Sequence, residues 1–176
     1  MARVARILID YACYHLMTRG NQKEKVFFQE EDYVRYLRIL GRAKSRYGAL
    51  LYAYCLMPNH VHLLVELENT RNMSKFMHWV NRGYTAYFNA KYERVGHLWQ
   101  GRFRSKPILK GSYLLQCSEY IESNPVRSQL SPDLASYKWS SYTERCLSYD
   151  KDIIDPPGGF AGFWSGTALI SKMGTL

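Results

Sequence analysis

The sequence predicts an α+β fold: a four-stranded antiparallel sheet in the chain order βαββαβ with helices on one face, plus an added C-terminal helix and an irregular tail. Three observations carry this. Two apolar runs, Leu50 to Leu56 and Leu63 to Leu67, flank a two-residue Pro58-Asn59 break. That pattern reads as a hairpin, because proline presets φ at the first corner position and asparagine tolerates the second. A stretch of helical spacing lies on each side of the hairpin, and each is joined to a further β-favouring segment. Two strand-helix-strand stretches in succession make the ferredoxin-like arrangement.

Each element has its own local reason. Tyr11 to Arg19 is β-favouring and stops at Gly20-Asn21, a turn signal. Glu30 to Tyr47 carries Tyr33, Val34, Leu37, Leu40 and Ala43 at helical intervals, closed by Gly48 where a C-terminal glycine cap is favoured. Ala49 to Met57 and His60 to Leu67 form the hairpin. Asn72 can cap a helix to about Tyr92, with Met73, Phe76, Met77, Val80, Tyr84, Tyr87 and Phe88 along one side. The alternation in Arg102-Phe103-Arg104-Ser105-Lys106 reads as a strand with its basic residues on one face. Gly111 to Asn124 is a helix that Ser112 can cap and Pro125 ends. Leu134 to Leu147 is a short helix or irregular, and the segment from Asp155 to Gly159 is a loop.

Along the second hairpin strand, alternation places His60, His62, Leu64 and Glu66 on one face and Val61, Leu63, Val65 and Leu67 on the other. Two imidazoles two residues apart on a strand can hold one divalent ion. A bare His-x-His pair is common, however, and spacing alone leaves two solvent-facing histidines the better reading. On the Gly111 to Asn124 helix, Tyr113, Tyr120 and Asn124 fall within about 40° of one another, so a tyrosine and an amide one turn apart can face one point.

At 176 residues the chain is most simply one domain over residues 1–150 with a tail over residues 151–176. Its apolar and charged fractions, 47% and 22%, are ordinary, but a net charge of +9 is not. It points to a polyanionic partner, nucleic acid ahead of membrane. From Lys91 to Lys110 six basic residues stand against one acidic residue, next to Trp99 and Phe103, as a phosphate-binding surface would. The four cysteines form no metal knuckle and read as reduced thiols of an intracellular protein. The opening residues do not make a signal peptide, and no stretch approaches membrane-span length.

Several segments together resemble a known family. Met57-Pro58-Asn59-His60-Val61-His62-Leu63-Leu64 is similar to the HUH signature of single-tyrosine transposases. Thr18-Arg19-Gly20-Asn21, Gly96-His97-Leu98-Trp99-Gln100-Gly101-Arg102-Phe103, Tyr120-Ile121-Glu122-Ser123-Asn124-Pro125-Val126-Arg127 and Trp139-Ser140-Ser141-Tyr142 resemble the REP-associated tyrosine transposases. The likeness runs from about residue 11 to 145; the tail beyond Asp150 matches nothing.

That resemblance implies a specific chemistry. His60, His62 and Asn124 would be ligands of Mg²⁺ or Mn²⁺, and Tyr120 the nucleophile of the catalytic C-terminal helix. The reaction would cut and rejoin single-stranded DNA at palindromic hairpins through a 5′-phosphotyrosine link. Arg19, Asn21, His97, Arg102, Arg104 and Lys106 are expected DNA contacts. A cytoplasmic, nucleoid-associated monomer or homodimer is expected.

The residues alone leave alternatives open. Tyr113 is nearly as good a nucleophile as Tyr120, Asn124 can be a plain helix end, Glu66 can be a ligand, and His15 and His78 carry no argument. A non-cutting hairpin-binding regulator of the same fold and an unrelated metal-dependent hydrolase compete with the transposase. The intact His, His, Tyr set disfavours the regulator, and the basic strand disfavours the hydrolase.

Overall fold

The computed structural model describes residues 8–9, 12–109, 111–147 and 153–156. Four strands, β1 (Cys13–Arg19), β2 (Ala49–Met57), β3 (His60–Leu67) and β4 (Arg104–Ile108), form one sheet in the order β2-β3-β1-β4. Every neighbouring pair is antiparallel. Helices α1 (Glu30–Tyr47) and α2 (Met73–Lys91) complete the βαββαβ order, followed by α3 (Ser112–Glu122), the single turn α4 (Asn124–Arg127) and α5 (Ser141–Leu147).

The strand period decides the two faces. Tyr14 and Leu16 from β1, Tyr54 and Leu56 from β2, and Val61, Leu63, Val65 and Leu67 from β3 bury against α1 and α2. From those helices Tyr36, Ile39, Leu40, Phe76, Val80, Tyr84 and Phe88 meet them. Cys13, Ala53, Cys55, Met57 and Leu64 point the other way and are covered by Leu114, Cys117 and Ile121 of α3. The added helix therefore closes part of the second face and leaves the rest of it open.

The ends of α1 follow the sequence expectation: Gly48 takes the left-handed conformation at φ 59°. At the N-terminus Gln29 and Asp32 form a reciprocal capping box. Asn72 and Ser112 do not cap; the side chain of Asn69 accepts from Arg71 N, and Gly111 precedes α3. The edge of β2 is covered by a later segment, with Leu56 N donating to Trp139 O at 2.9 Å and Leu51 N to Asp155 Oδ2 at 2.7 Å. Covering an edge in this way removes a site for unwanted strand pairing. Three cysteines are buried, the fourth is half-buried, and none is in a disulfide. No helix among the described residues is long and apolar enough to cross a membrane. Tyr11 and nearly all of residues 148–176, which bear on the expected strand start and tail, lie outside the described residues.

Candidate functional site

The histidine face is built by a turn and a glycine. Met57 pairs with His60, so Pro58-Asn59 is the whole hairpin corner. Against it packs the loop after β1: Gly20 N donates to Asn59 O at 2.8 Å and Val26 N to Pro58 O at 2.8 Å. A Cβ on Gly20 would sit 2.3 Å from Glu24 O and 2.8 Å from the Val26 side chain, so only glycine permits this approach. The Thr18-Arg19-Gly20-Asn21 segment thus braces the corner from which the histidines project.

Three imidazoles, not two, occupy the open face. His15 of β1 lies between the hairpin and β4, opposite Leu64 on one side and Lys106 on the other. Its Nε2 is 2.8 Å from Nδ1 of His62, and the two rings meet edge to edge, nearly coplanar, with centroids 5.1 Å apart. His60 and His62 stand edge to face at 4.9 Å. Burial, the larger cause, and neighbouring positive charge hold all three well below the usual histidine range. His15 falls to about 4 with Lys106 beside it and His60 to about 4 with Arg19 beside it, while His62 falls to about 3 between His15 and His60. All three are neutral at neutral pH, so their ring nitrogens keep lone pairs.

Tyr120 closes the group. Its ring meets His15 at 6.0 Å and His62 at 6.4 Å, both edge-on, and the side chain stays 41% exposed. Arg127 places its guanidinium 4.8 Å over the Tyr120 ring. Tyr113 is more exposed, at 58%, and none of the described ring contacts joins it to a histidine. Of the two candidate tyrosines, Tyr120 is the one set against the imidazoles.

Asn124 is not the last residue of the Tyr120 helix. That helix stops at Glu122, and Asn124 opens α4. Pro125 has no N–H for the carbonyl of Ile121, so the regular ladder ends there. The side chain of Asn124 takes over, with Nδ2 donating to Tyr120 O at 2.8 Å and to Ile121 O at 3.1 Å. With the amide nitrogen turned to these carbonyls, the acceptor oxygen is left to other partners. This joins the two readings of Asn124, since the residue that ends the helix also offers an oxygen one turn beyond Tyr120.

The donor set suits a divalent ion. Asn59 Nδ2 donates to Lys23 O at 3.0 Å, which turns its Oδ1 to His60 Nδ1 at 2.6 Å. An amide oxygen only accepts, so His60 carries its proton on Nδ1 and keeps Nε2 free. Imidazole nitrogen and carboxamide oxygen are both ligand types that Mn²⁺ accepts. Among the described residues no three His, Cys, Asp or Glu side chains converge as a ligand cluster. Glu66 is committed elsewhere, accepting from Tyr52 OH at 2.7 Å and from the Cys13 thiol at 3.6 Å.

The expected DNA contacts divide between two places. Arg19 faces His60 across the β1–β3 ladder, and its Nε is buried without a partner. Arg104 and Lys106 lie opposite Met17 and His15 and extend the histidine face. Arg102 does not join them. The fourth strand begins at Arg104 rather than Arg102, because Gly101 turns the chain at φ 67° and Phe103 is buried in the α2 side of the core. Arg102 instead lines an open cavity of about 590 Å³ with His97, His78, Asn81 and Arg82. Asn21 sits in the turn after β1, its N–H donating to Leu98 O.

Two residues of the site were missed by the sequence reading. His15 shares the alternation of Cys13, His15, Met17 and Arg19, but only the register against β3 brings it to His62. Arg127 lies within the segment that resembles the transposases, and its position over Tyr120 depends on the chain reversal at Pro125.

Comparison with known proteins bears on this geometry. The family model described as IS200-like transposase matches residues 9–124, a span that includes both hairpin histidines and Tyr120 and ends on Asn124. The solved structure of a REP-associated tyrosine transposase bound to a REP hairpin is similar with a TM-score of 0.71 at 16% identity, over 89% of this chain and 93% of that one. At that identity the likeness establishes a shared fold. A crystal structure of a transposase candidate from Deinococcus radiodurans is similar over 69% of this chain and 97% of that one, at 20% identity and a TM-score of 0.48. No curated protein matches the chain.

Proposed function

The chain belongs to the IS200-like transposase family, and from that premise we propose that it is a metal-dependent single-stranded DNA endonuclease and strand transferase. Its substrate is DNA at palindromic hairpin elements, in keeping with the REP hairpin bound by the structurally similar transposase. It acts in the cytoplasm on nucleoid DNA. The observation that carries the reading is Tyr120 set edge-on against neutral, hydrogen-bonded histidines on the face of the sheet away from α1 and α2.

The chain's own groups have defined roles in this reading. His60, His62 and the Asn124 oxygen are the residues that would hold Mg²⁺ or Mn²⁺, and a bound ion would supply positive charge to offset that of the transition state. Tyr120 Oη loses its proton and attacks phosphorus. The new Oη–P bond forms as the P–O3′ bond breaks, and the departing 3′ oxygen takes up a proton. The result is a 5′-phosphotyrosine and a free 3′-OH. A tyrosyl ester keeps the bond energy, so a 3′-OH can reverse the step without a nucleotide cofactor. Arg127 over the Tyr120 ring and Lys106 beside His15 supply positive charge near the forming bond. Arg19, Arg104 and Lys106 contact the strand on the histidine face; Arg102, His97 and Asn21 contact DNA on the other flank. The hydrogen bond from Asn124 Nδ2 to Tyr120 O ties the start of α4 to the end of α3 and so limits the separation of nucleophile and oxygen ligand, which is what catalysis by positioning requires.

Labelled hairpin DNA incubated with the protein and Mn²⁺ tests this on a denaturing gel. Wild type and Tyr113→Phe should give a covalent protein–DNA band, and Tyr120→Phe should give none while still binding the hairpin. Undiminished cleavage by Tyr120→Phe refutes the assignment. Hairpin binding without any adduct from wild type favours a non-cutting regulator.

A further inference from the structure

We propose that His15 is a positioning residue: it accepts a hydrogen bond from Nδ1–H of His62 and so holds His62 in the tautomer whose Nε2 lone pair is free to bind a divalent ion. This rests on the metal-dependent reading above and extends it beyond the histidine pair of the hairpin.

The contact between His15 Nε2 and His62 Nδ1 is 2.8 Å, a hydrogen bond between two neutral rings. Such a bond holds one proton and has two possible senses. If His15 donates, His62 carries its own proton on Nε2, and neither of its nitrogens is left to ligate. If His62 donates, its Nε2 is free. His60 provides the parallel. Its Nδ1 faces Asn59 Oδ1, which only accepts, so His60 also presents Nε2. Donation by His62 gives the two hairpin histidines the same tautomer on the same face, with ring centroids 4.9 Å apart.

The surroundings hold the acceptor in place. His15 is on a central strand between β3 and β4, opposite Leu64 and Lys106. Its ring lies in line with that of His62 with 27° between planes, so the nitrogens meet nearly in plane, and the Tyr120 ring meets it at 72°. Metal-bound histidines usually donate to a carboxylate or carbonyl. An imidazole in that role brings no negative charge, which leaves more of the ion's charge for a phosphodiester.

The tautomer can be read directly. Two-bond proton–nitrogen correlation spectra of the metal-free ¹⁵N-labelled protein at neutral pH should show His62 protonated on Nδ1. His15→Phe keeps an aromatic ring for packing but removes the acceptor. It should shift His62 toward the Nε2–H form and weaken Mn²⁺ binding at least about tenfold, as loss of such partners typically does. His15→Gln, which restores an acceptor oxygen, should recover much of that affinity; a purely packing role would favour Phe over Gln. Wild-type His62 protonated on Nε2 overturns the proposal without reference to any variant. So does Mn²⁺ binding that is lost in His62→Ala yet unchanged in His15→Phe. Binding unchanged in His62→Ala overturns the metal reading with it.

Discussion

Asp32 and His62 are both buried polar side chains of one small domain, and their neighbours could hardly differ more. Asp32 has no solvent exposure and accepts five hydrogen bonds, from Phe28 N, Gln29 N, Tyr87 OH, Lys91 Nζ and Tyr92 OH, at 2.7–2.9 Å. Burial alone would raise its pKa, but the donations from Tyr92, Gln29, Lys91 and Phe28 outweigh it and hold the carboxyl at about 2. His62 is buried among two other imidazoles and a tyrosine ring, without an acidic partner, and is kept neutral instead. The Asp32 cluster is saturated, since two donors cap the start of α1 and three join α1 to α2 and its C-terminal end. The histidine cluster keeps lone pairs that only something from outside can use. Buried polar groups that are fully paired hold a fold together, and groups held in place with capacity left over mark a site.

The largest difference should appear in stability. Asp32→Ala removes the acceptor of two tyrosines and two backbone amides and leaves Lys91 with Glu31. It should cost about 3–5 kcal/mol in denaturant unfolding. His60→Ala should cost far less at neutral pH while abolishing Mn²⁺ binding measured by calorimetry. A His60 variant as unstable as the Asp32 variant would erase the distinction.

Acid should separate the clusters next. An unfolded histidine titrates near 6.5, whereas the folded ones do so near 3 to 4. Below pH 6.5 the unfolded chain therefore takes up protons that the folded chain refuses, and stability falls from there to about pH 4. Asp32 is silent in that window. Its contribution is present above its unfolded value of 3.8 and fades as pH falls toward 2. Thermal melts of the metal-free protein should show a flatter pH dependence between 6.5 and 4 in His60→Ala but not in Asp32→Asn.

Asn124 sharpens the comparison because it belongs to both kinds of region, spending its amide protons on structure and keeping its oxygen. Asn124→Ala should weaken Mn²⁺ binding about tenfold, with cleavage partly rescued at high Mn²⁺, whereas His60→Ala should resist rescue. Asn124→Asp should bind Mn²⁺ more tightly without cutting faster. Wild-type cleavage by Asn124→Ala across a full Mn²⁺ titration would reduce Asn124 to a helix end.

The smallest effect concerns the basic residues. Arg104 and Lys106 border the histidine face, whereas Arg102 lines the cavity beside α2. With a short single strand spanning only the cut, Arg104→Ala and Lys106→Ala should each lower the log–log salt slope by about 0.7. Arg102→Ala should leave the slope unchanged until the DNA is long enough to reach α2. An unchanged slope in Arg104→Ala/Lys106→Ala would make that strand a solvated surface.

The sequence by itself determined the elements and the pairs that lie within them. The bounds of α1 and of both hairpin strands agree with the expectation, and His60 and His62 share a face, because a period of 3.6 or 2 and a two-residue turn are local properties. Tyr120 and Asn124, one turn apart, were legible for the same reason, even though Pro125 splits the helix between them. Tertiary structure decided what crosses the chain. His15 meets His62 over a separation of 47 residues, and nothing near His15 reports the register that brings them together. The start of β4 was decided by the turn at Gly101, which takes Arg102 out of a strand its alternation predicted. Glu66 lost its candidacy as a ligand to Tyr52 on the neighbouring strand. Local periodicity says which side of an element a residue occupies; only packing and strand register say what it will find there.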